Sequence, residues 1–176
     1  MEFQQLSSQR AFAGHVFSIE LGVFQDPAGG NFDRDIVRHP GAVAVLALTE
    51  DSKAILVRQW RPAIGQWILE APAGTLDIAG EEAAAAASRE LREEVGVEAD
   101  ELRYLGSSFN SPGFCDQVTH LYLAQHLRAV ERELTGAEEI FSTVVEMALD
   151  DLLASSETMD STTRQLALLA LRHLGR

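Results

Sequence analysis

The stretch GTLDIAGEEAAAAASRELREEVGV, residues 74–97, divides into a glycine-bounded loop and a helical segment that runs from Glu81 to Val95. Its alanines and leucine are strong helix formers. Gly96 is suited to the left-handed residue that ends many helices. The composition therefore predicts a loop followed by a helix of about four turns.

Three acidic residues near the end of this helix conflict with the usual placement of charge. Glu90, Glu93 and Glu94 are spaced i, i+3, i+4, so they share one face and repel one another. They also lie where the helix dipole prefers cations. One interpretation is a solvated acidic face. The other is a hard, all-oxygen site for a divalent cation such as Mg²⁺ or Mn²⁺.

The spacing of the fixed residues decides between these interpretations. The stretch resembles the Nudix box of Nudix hydrolases, which reads G-x5-E-x7-R-E-U-x-E-E-x-G-U, with U an aliphatic residue. Every specified position from Glu81 to Val97 matches, and the one departure is a sixth residue between Gly74 and Glu81. Because the insertion lies in the loop, we expect the helix face to be unchanged.

The resemblance implies a role for each box residue. It makes Glu90 and Glu94 direct ligands of Mg²⁺ or Mn²⁺ and Glu93 a ligand either directly or through water. It also makes the backbone carbonyl of Ala73 a further ligand. Arg89 is then a partner that orients a glutamate, and the alternative for it is an ordinary surface ion pair.

The whole chain has the length of a single domain with a sizeable core, at 176 residues. Its formal net charge of −13 argues against binding to nucleic acid or to an anionic membrane. One cysteine, Cys115, excludes an internal disulfide and favours a reducing, cytoplasmic location. We find no signal-peptide pattern and no apolar run long enough to span a membrane.

Residues 1–40 are predicted to form a β-hairpin extension with strands at Phe12–Phe24 and Phe32–His39. A hairpin of this size is not stable alone, so it must pack on the rest of the chain or on another subunit. Resemblance to ADP-sugar Nudix hydrolases favours the second option, a homodimer. Residues 41–176 then form the Nudix domain.

The remaining apolar patterns predict an α/β fold with a mixed sheet, and the resemblance implies an α/β/α sandwich. Strands are expected at Ala42–Leu48, Ala54–Trp60, Trp67–Glu70, Leu102–Phe109, Gln117–Ala124 and Phe141–Met147. Helices are expected at Asp150–Ser155 and Ser161–Leu174, the second capped by Ser161 or Thr162.

Substrate-binding candidates lie outside the box. Arg34 and Arg61 can bind phosphate through their forked guanidinium groups, and the alternative for each is a surface arginine. Arg61 stands in VRQWRP, which resembles the family's V-x-Q-Y/F-R segment. Glu70 stands beside the metal loop and is predicted to hold a ribose or a metal-bound water. Pro112 lies 15 residues after the box, which resembles the subgroup that cleaves ADP-ribose.

Adenine requires an aromatic platform, for which Phe17, Trp60 and Trp67 are the alternatives, although Trp67 could equally be a core residue. A general base is expected in the loop TGAEEI, because family members commonly place a glutamate there. Glu138 is favoured, with Glu139 as the alternative.

The predicted function is metal-dependent hydrolysis of ADP-ribose to AMP and ribose 5-phosphate. One alternative is another nucleoside-diphosphate sugar, such as ADP-glucose or GDP-mannose. A second alternative is a non-catalytic Nudix-like domain that binds a nucleotide. Such domains typically lose box glutamates, and this chain keeps them all.

Overall fold

The computed structural model describes residues 2–133 and 139–176, and the chain folds into two compact units. The first unit comprises Met1–Gly41 and Ser108–Thr119, and the second comprises Ala42–Ser107 and His120–Arg176. A segment from the middle of the sequence therefore packs with the N-terminal strands, which the predicted boundary at residue 40 did not foresee.

The N-terminal segment forms an antiparallel sheet of three strands in the order β1-β2-β3. The strands are β1, Gln4–Ala13, β2, Ser18–Gln25, and β3, Asn31–Arg38. The prediction of a strand at residues 32–39 is confirmed. The single strand predicted for residues 12–24 was wrong, because it joins the end of β1 to most of β2.

Strand β1 has no alternation of apolar and polar residues by which it could have been recognised. All ten of its residues are exposed, and its register with β2 shifts twice, between Gln5 and Ser7 and between Arg10 and Phe12. Bulges of this kind break the two-residue period, and a strand that buries neither face needs no period at all.

The second unit contains a seven-stranded sheet. Its strand order is β10-β5-β4-β9-β8, with β6 paired to β5 and β7 paired to β4. The strands are β4 Ala42–Leu48, β5 Lys53–Arg61, β6 Gln66–Glu70, β7 Ala73–Thr75, β8 Val97–Phe109, β9 Val118–Ala129 and β10 Thr143–Ala148. All the predicted strands in this region are present, and β8 and β9 are several residues longer than expected.

Helices cover both faces of this sheet, which confirms the predicted α/β/α sandwich. Strand β4 is buried along its whole length and contributes alternate residues to two hydrophobic clusters. One cluster includes Leu46 together with α2, Leu149–Leu152, and α3, Ser161–His173. The other includes Val45 and the apolar side of the box helix. A continuous apolar run is the pattern expected of a strand buried on both faces.

The N-cap of α3 differs from the prediction. Asp160, rather than Ser161 or Thr162, precedes the helix, and its carboxylate accepts hydrogen bonds from the backbone N–H groups of Thr162 and Thr163 at 3.2 and 3.0 Å. The hydroxyl of Thr163 is used elsewhere, since it accepts a hydrogen bond from the N–H of Ala71 at 2.7 Å. The threonine therefore ties the helix to the strand that leads into the box loop.

No helix within residues 2–133 and 139–176 has the length and apolar character needed to cross a membrane.

Candidate active site

The box helix has two parts with different hydrogen-bonding. An α-helix, α1, runs from Ala83 to Glu90 and continues as a π-helical segment from Leu91 to Val95. It was predicted as one helix from residue 81, but Glu82 is the extended N-cap residue, so the first turn contains no acid. Gly96 ends the helix with φ of 66°, as predicted. Wide π-helical turns are rare, and many lie at functional sites.

The packing of this helix sets the direction of its carboxylates. Ala86, Ala87 and Leu91 are buried against the sheet. Glu90 and Glu94 lie at the edge of that buried face, and only 8% and 5% of their surfaces are exposed. Burying a carboxylate without a partner is costly, so each must be hydrogen-bonded or bound to a cation.

Arg89 is the partner of three acidic residues of the box. Its Nη1 donates to Glu90 at 2.7 Å and to Glu93 at 2.9 Å, and its Nε and Nη2 each donate to Glu81 at 3.1 Å. The hydrogen bond from Arg89 lowers the pKa of Glu81, and the combined effect of the acids raises the pKa of Arg89. This arginine therefore fixes the orientation of Glu81, Glu90 and Glu93.

The loop before the helix holds the remaining glutamate. The backbone N–H of Ala73 donates to Oε2 of Glu94 at 2.9 Å. At Gly74, a Cβ atom would lie only 1.8 Å from Oε1 of Glu90. A glycine is therefore required at this position so that Glu90 can lie directly against the backbone of the loop.

The atoms assembled here suit a hard divalent cation, since the carboxylates of Glu90, Glu93 and Glu94 and the backbone at Ala73 supply oxygen ligands only. Within residues 2–133 and 139–176, no three acidic, histidine or cysteine side chains already form a ready-made metal site. The carboxylates are instead hydrogen-bonded to Arg89 and to the N–H of Ala73. Binding a cation therefore requires them to exchange part of these hydrogen bonds for metal–oxygen bonds.

Arg61 and Glu70, both substrate-binding candidates, form a two-point ion pair. Nε of Arg61 donates to Glu70 Oε2 at 2.7 Å, and Nη2 donates to Oε1 at 3.2 Å. Burial lowers the pKa of Arg61, but its hydrogen bond to Glu70 and the nearby carboxylates of Glu94 and Asp160 outweigh that effect, so that the pKa is raised. Arg61 thus lies in the field of a box glutamate.

Two other candidates, Arg34 and Pro112, line one cavity of about 480 Å³ in the first unit. The remaining walls are largely aromatic and include Phe24 and Phe114. The guanidinium of Arg34 lies 4.6 Å from the ring centre of Phe32 and donates to the carbonyl of Asp33 at 2.7 Å. A guanidinium above aromatic rings can bind a flat or anionic ligand.

Sequence reasoning missed Asp116, which holds the wall of this cavity in place. Its carboxylate accepts hydrogen bonds from the backbone N–H of His39 at 2.9 Å and from Arg38 at 3.1 Å. His39 has a structural role, because its Nδ1 accepts a hydrogen bond from the backbone N–H of Gly41 at 3.1 Å. Burial lowers the pKa of His39, against the opposing charge of Asp116. The charge pair of Asp116 with Arg38, 78 positions apart, leaves no local sequence pattern.

The aromatic candidates lie in different places. Phe17 is an exposed residue packed against Phe12, with ring centres 6.2 Å apart, and does not line the cavity. Trp60 and Trp67 pair across β5 and β6, with ring centres 6.0 Å apart and planes at 68°. Placing Trp67 in the core would be wrong, because 46% of its surface is exposed.

The two candidate bases lie at the limit of what the structure describes. Glu138 falls outside the described residues. Glu139 begins a 3₁₀ helix, Glu139–Phe141, that leads into β10.

Comparison with known proteins identifies the class to which this fold and this acidic helix belong. The sequence model of the NUDIX domain matches residues 38–167. The chain therefore belongs to the Nudix hydrolase family, as the box predicted.

Individual relatives extend the match to most of the chain. An ADP-ribose pyrophosphatase of Bacillus subtilis is 38% identical over 166 residues, covering 93% of this chain and 89% of the relative. A methanol dehydrogenase activator of Bacillus methanolicus is 38% identical over 152 residues, covering 86% and 82%. A crystal structure of an ADP compounds hydrolase superposes on this chain with a TM-score of 0.84 at 23% sequence identity. The match covers 100% of this chain and 97% of the other, and it shows that the two share a fold.

Proposed function

We propose that this Nudix hydrolase cleaves the diphosphate of ADP-ribose to give AMP and ribose 5-phosphate. The observation that carries the proposal is the similarity along 93% of the chain to the ADP-ribose pyrophosphatase of Bacillus subtilis. The complete set of box glutamates, with Arg89 orienting two of the three proposed ligands, favours catalysis over binding alone.

Glu90, Glu94 and the carbonyl of Ala73 would hold Mg²⁺ or Mn²⁺, with Glu93 as a direct or water-mediated ligand. A bound divalent cation neutralises phosphate charge and makes water a better nucleophile near neutral pH. The protein's own contribution is positioning. Arg89 donates hydrogen bonds that align Glu90 and Glu93, and Gly74 lets Glu90 approach the loop.

Substrate-binding roles are proposed for Arg61 and Glu70 of the second unit and, separately, for Arg34 and Pro112, which line the cavity of the first unit. Arg61 is assigned to a diphosphate oxygen for two reasons. Its forked guanidinium suits phosphate, and it lies close enough to Glu94, a proposed metal ligand, to interact with its charge. Glu70 holds a ribose hydroxyl or a water. Arg34 and Pro112 bind the nucleotide from the cavity that they line. Phe17 is the proposed adenine platform, with the Trp60–Trp67 pair as the alternative.

The general base is proposed to be Glu138, with Glu139 as the alternative. The box carboxylates have their lone pairs engaged, so a separate carboxylate should take the proton of the attacking water. We expect Glu138→Gln to lower kcat by about 10²-fold or more with unchanged metal affinity. If instead Glu139→Gln gives this loss, the roles are exchanged. Parental kcat in both variants would place the base elsewhere.

Residues 1–40 are proposed to form the interface of a cytoplasmic homodimer, with residues 41–176 as the catalytic domain. Several large apolar side chains of this region are exposed, among them those of Phe3, Leu6 and Phe12. Exposed apolar residues on a thin sheet are typical of a surface that another protein covers.

A substrate panel tests the function directly. Parent protein with Mg²⁺ or Mn²⁺ is incubated with ADP-ribose, ADP-glucose, GDP-mannose, a dinucleoside polyphosphate and ATP, and products are identified by chromatography. We expect the highest kcat/KM for ADP-ribose. A higher kcat/KM for another nucleotide sugar would make that compound the proposed substrate. If no compound of the panel is cleaved, the result would favour a domain that binds a nucleotide without catalysis.

A further inference from the structure

Gln59 of β5 carries a buried donor that no other described residue accepts. The residue is only 3% exposed, and its Nε2 has no hydrogen-bond partner among the residues that the structure describes. A buried amide without a partner destabilises a fold, so its presence calls for a reason.

The register of the sheet places Gln59 on the same face as the box helix. Val57 of β5 belongs to the hydrophobic cluster that packs against that helix, and side chains two residues apart on a strand share a face. Gln59 and Arg61 therefore point toward that side. Glu70 does so too, because it lies directly opposite Val57 on β6.

The Arg61–Glu70 ion pair spans a long distance along this face. Arg61 lies opposite Gln66 on β6, so Glu70 is four residues farther along that strand. Four residues of a strand extend over about 13 Å. To reach Glu70, the side chain of Arg61 therefore runs back along the strand in the direction of Gln59, which lies between Arg61 and Val57 on the same face.

Substrate binding would disturb this arrangement. If Arg61 turns so that the Nε–Nη2 edge that now contacts Glu70 faces a diphosphate oxygen instead, its two hydrogen bonds to Glu70 are released. Glu70 is only 7% exposed. Leaving its buried carboxylate without a hydrogen-bond donor costs free energy, and this cost opposes the movement of Arg61 toward the substrate. Gln59 lies diagonally across the ladder from Glu70, within the reach of two long side chains.

We propose that Gln59 is a positioning residue whose Nε2 replaces Arg61 on Glu70 when Arg61 binds the substrate's diphosphate. This rests on the proposed role of Arg61 in substrate binding. In the free protein the Gln59 amide nitrogen has no hydrogen-bond partner among the described residues. In the complex both the glutamine and the glutamate are satisfied, and the arginine is free to hold the anion.

The variant Gln59→Leu tests the exchange, since leucine has a similar size and no donor. Substrate binding should weaken, because Glu70 is then left without a donor, and we expect KM to rise about tenfold with kcat within about twofold of the parent. Thermal stability should be unchanged or higher, because an unused buried donor has been removed. The matched control is Gln125→Leu on β9, which should leave KM unchanged.

A double-mutant cycle with Glu70→Gln identifies the partner of Gln59. Without the buried charge at position 70, no replacement donor is needed, so adding Gln59→Leu should change KM by less than about twofold. Additive effects of the two substitutions would overturn the proposal, since Gln59 would then act independently of Glu70. A Gln59→Leu protein that melts several degrees below the parent would also overturn it, because the amide would then have a structural role.

The test separates this inference from the proposed function. KM is measured with whichever compound of the substrate panel the parent protein cleaves. The double-mutant cycle can therefore be interpreted even if the substrate is not ADP-ribose. The melting comparison needs no substrate at all.

Discussion

The box helix and the N-terminal strand β1 differ in how their side chains are held. On the box helix, Glu90 and Glu94 are buried and tied to Arg89 and to the loop backbone. On β1, all ten residues are exposed, including large apolar ones. The helix is therefore held by contacts within one chain, whereas the side chains of β1 are left exposed by the residues that the structure describes.

The largest expected effect is at the box helix. Glu94→Gln removes an anionic oxygen but can still accept the hydrogen bond from Ala73. We expect kcat to fall by about 10²-fold or more, since even residues that only support a metal ligand cost 10–100-fold when changed. Circular dichroism should show an intact fold. Parental turnover at saturating Mg²⁺ would remove Glu94 from the proposed metal site.

A smaller loss should follow from a single added carbon in the loop. Gly74→Ala places a Cβ where Oε1 of Glu90 now lies, so either the loop or the carboxylate must move. We expect kcat/KM to fall by about tenfold to a hundredfold and metal affinity, measured by calorimetry, to weaken. Unchanged metal affinity would show that Glu90 does not need its position against the loop.

A third prediction concerns the exposed sheet. Leu6→Asp puts a charge on β1, where 49% of the leucine is exposed, and should weaken a dimer at least about tenfold by light scattering at several concentrations. The control is Leu168→Asp on α3, an equally apolar residue that is 57% exposed. A monomeric parent, or equal weakening by both variants, would contradict the interface proposed for residues 1–40.

The smallest effect is a pH dependence of stability. Burial lowers the pKa of His39 below its ordinary value of 6.5, so the unfolded chain takes up the proton first as the pH falls. Stability from this residue is thus present above pH 6.5 and is lost as the pH falls below it. His39→Asn keeps an acceptor for the backbone N–H of Gly41. Between pH 7 and pH 5 its melting temperature should therefore fall by a few degrees less than that of the parent protein. Parallel curves for the two proteins would contradict this.

The same contrast explains what could be predicted from the sequence. The box helix, the buried strand β4 and the glycine stop at Gly96 follow from local rules of propensity, burial and backbone conformation. The strand β1 could not be predicted, because its pairing with β2 leaves no apolar period. The pairings of Asp116 with Arg38 and of Arg61 with Glu70 depend on how distant strands meet, and Gln59 stands out only when the partners of buried atoms are counted.

One measurement tests the central claim most directly, a ³¹P NMR time course of ADP-ribose with the parent protein and Mg²⁺. If the protein cleaves the diphosphate of ADP-ribose, the two diphosphate resonances disappear together and are replaced by the two phosphomonoester resonances of AMP and ribose 5-phosphate. Diphosphate resonances that persist at enzyme concentrations sufficient for many turnovers, or products other than these two, would contradict it.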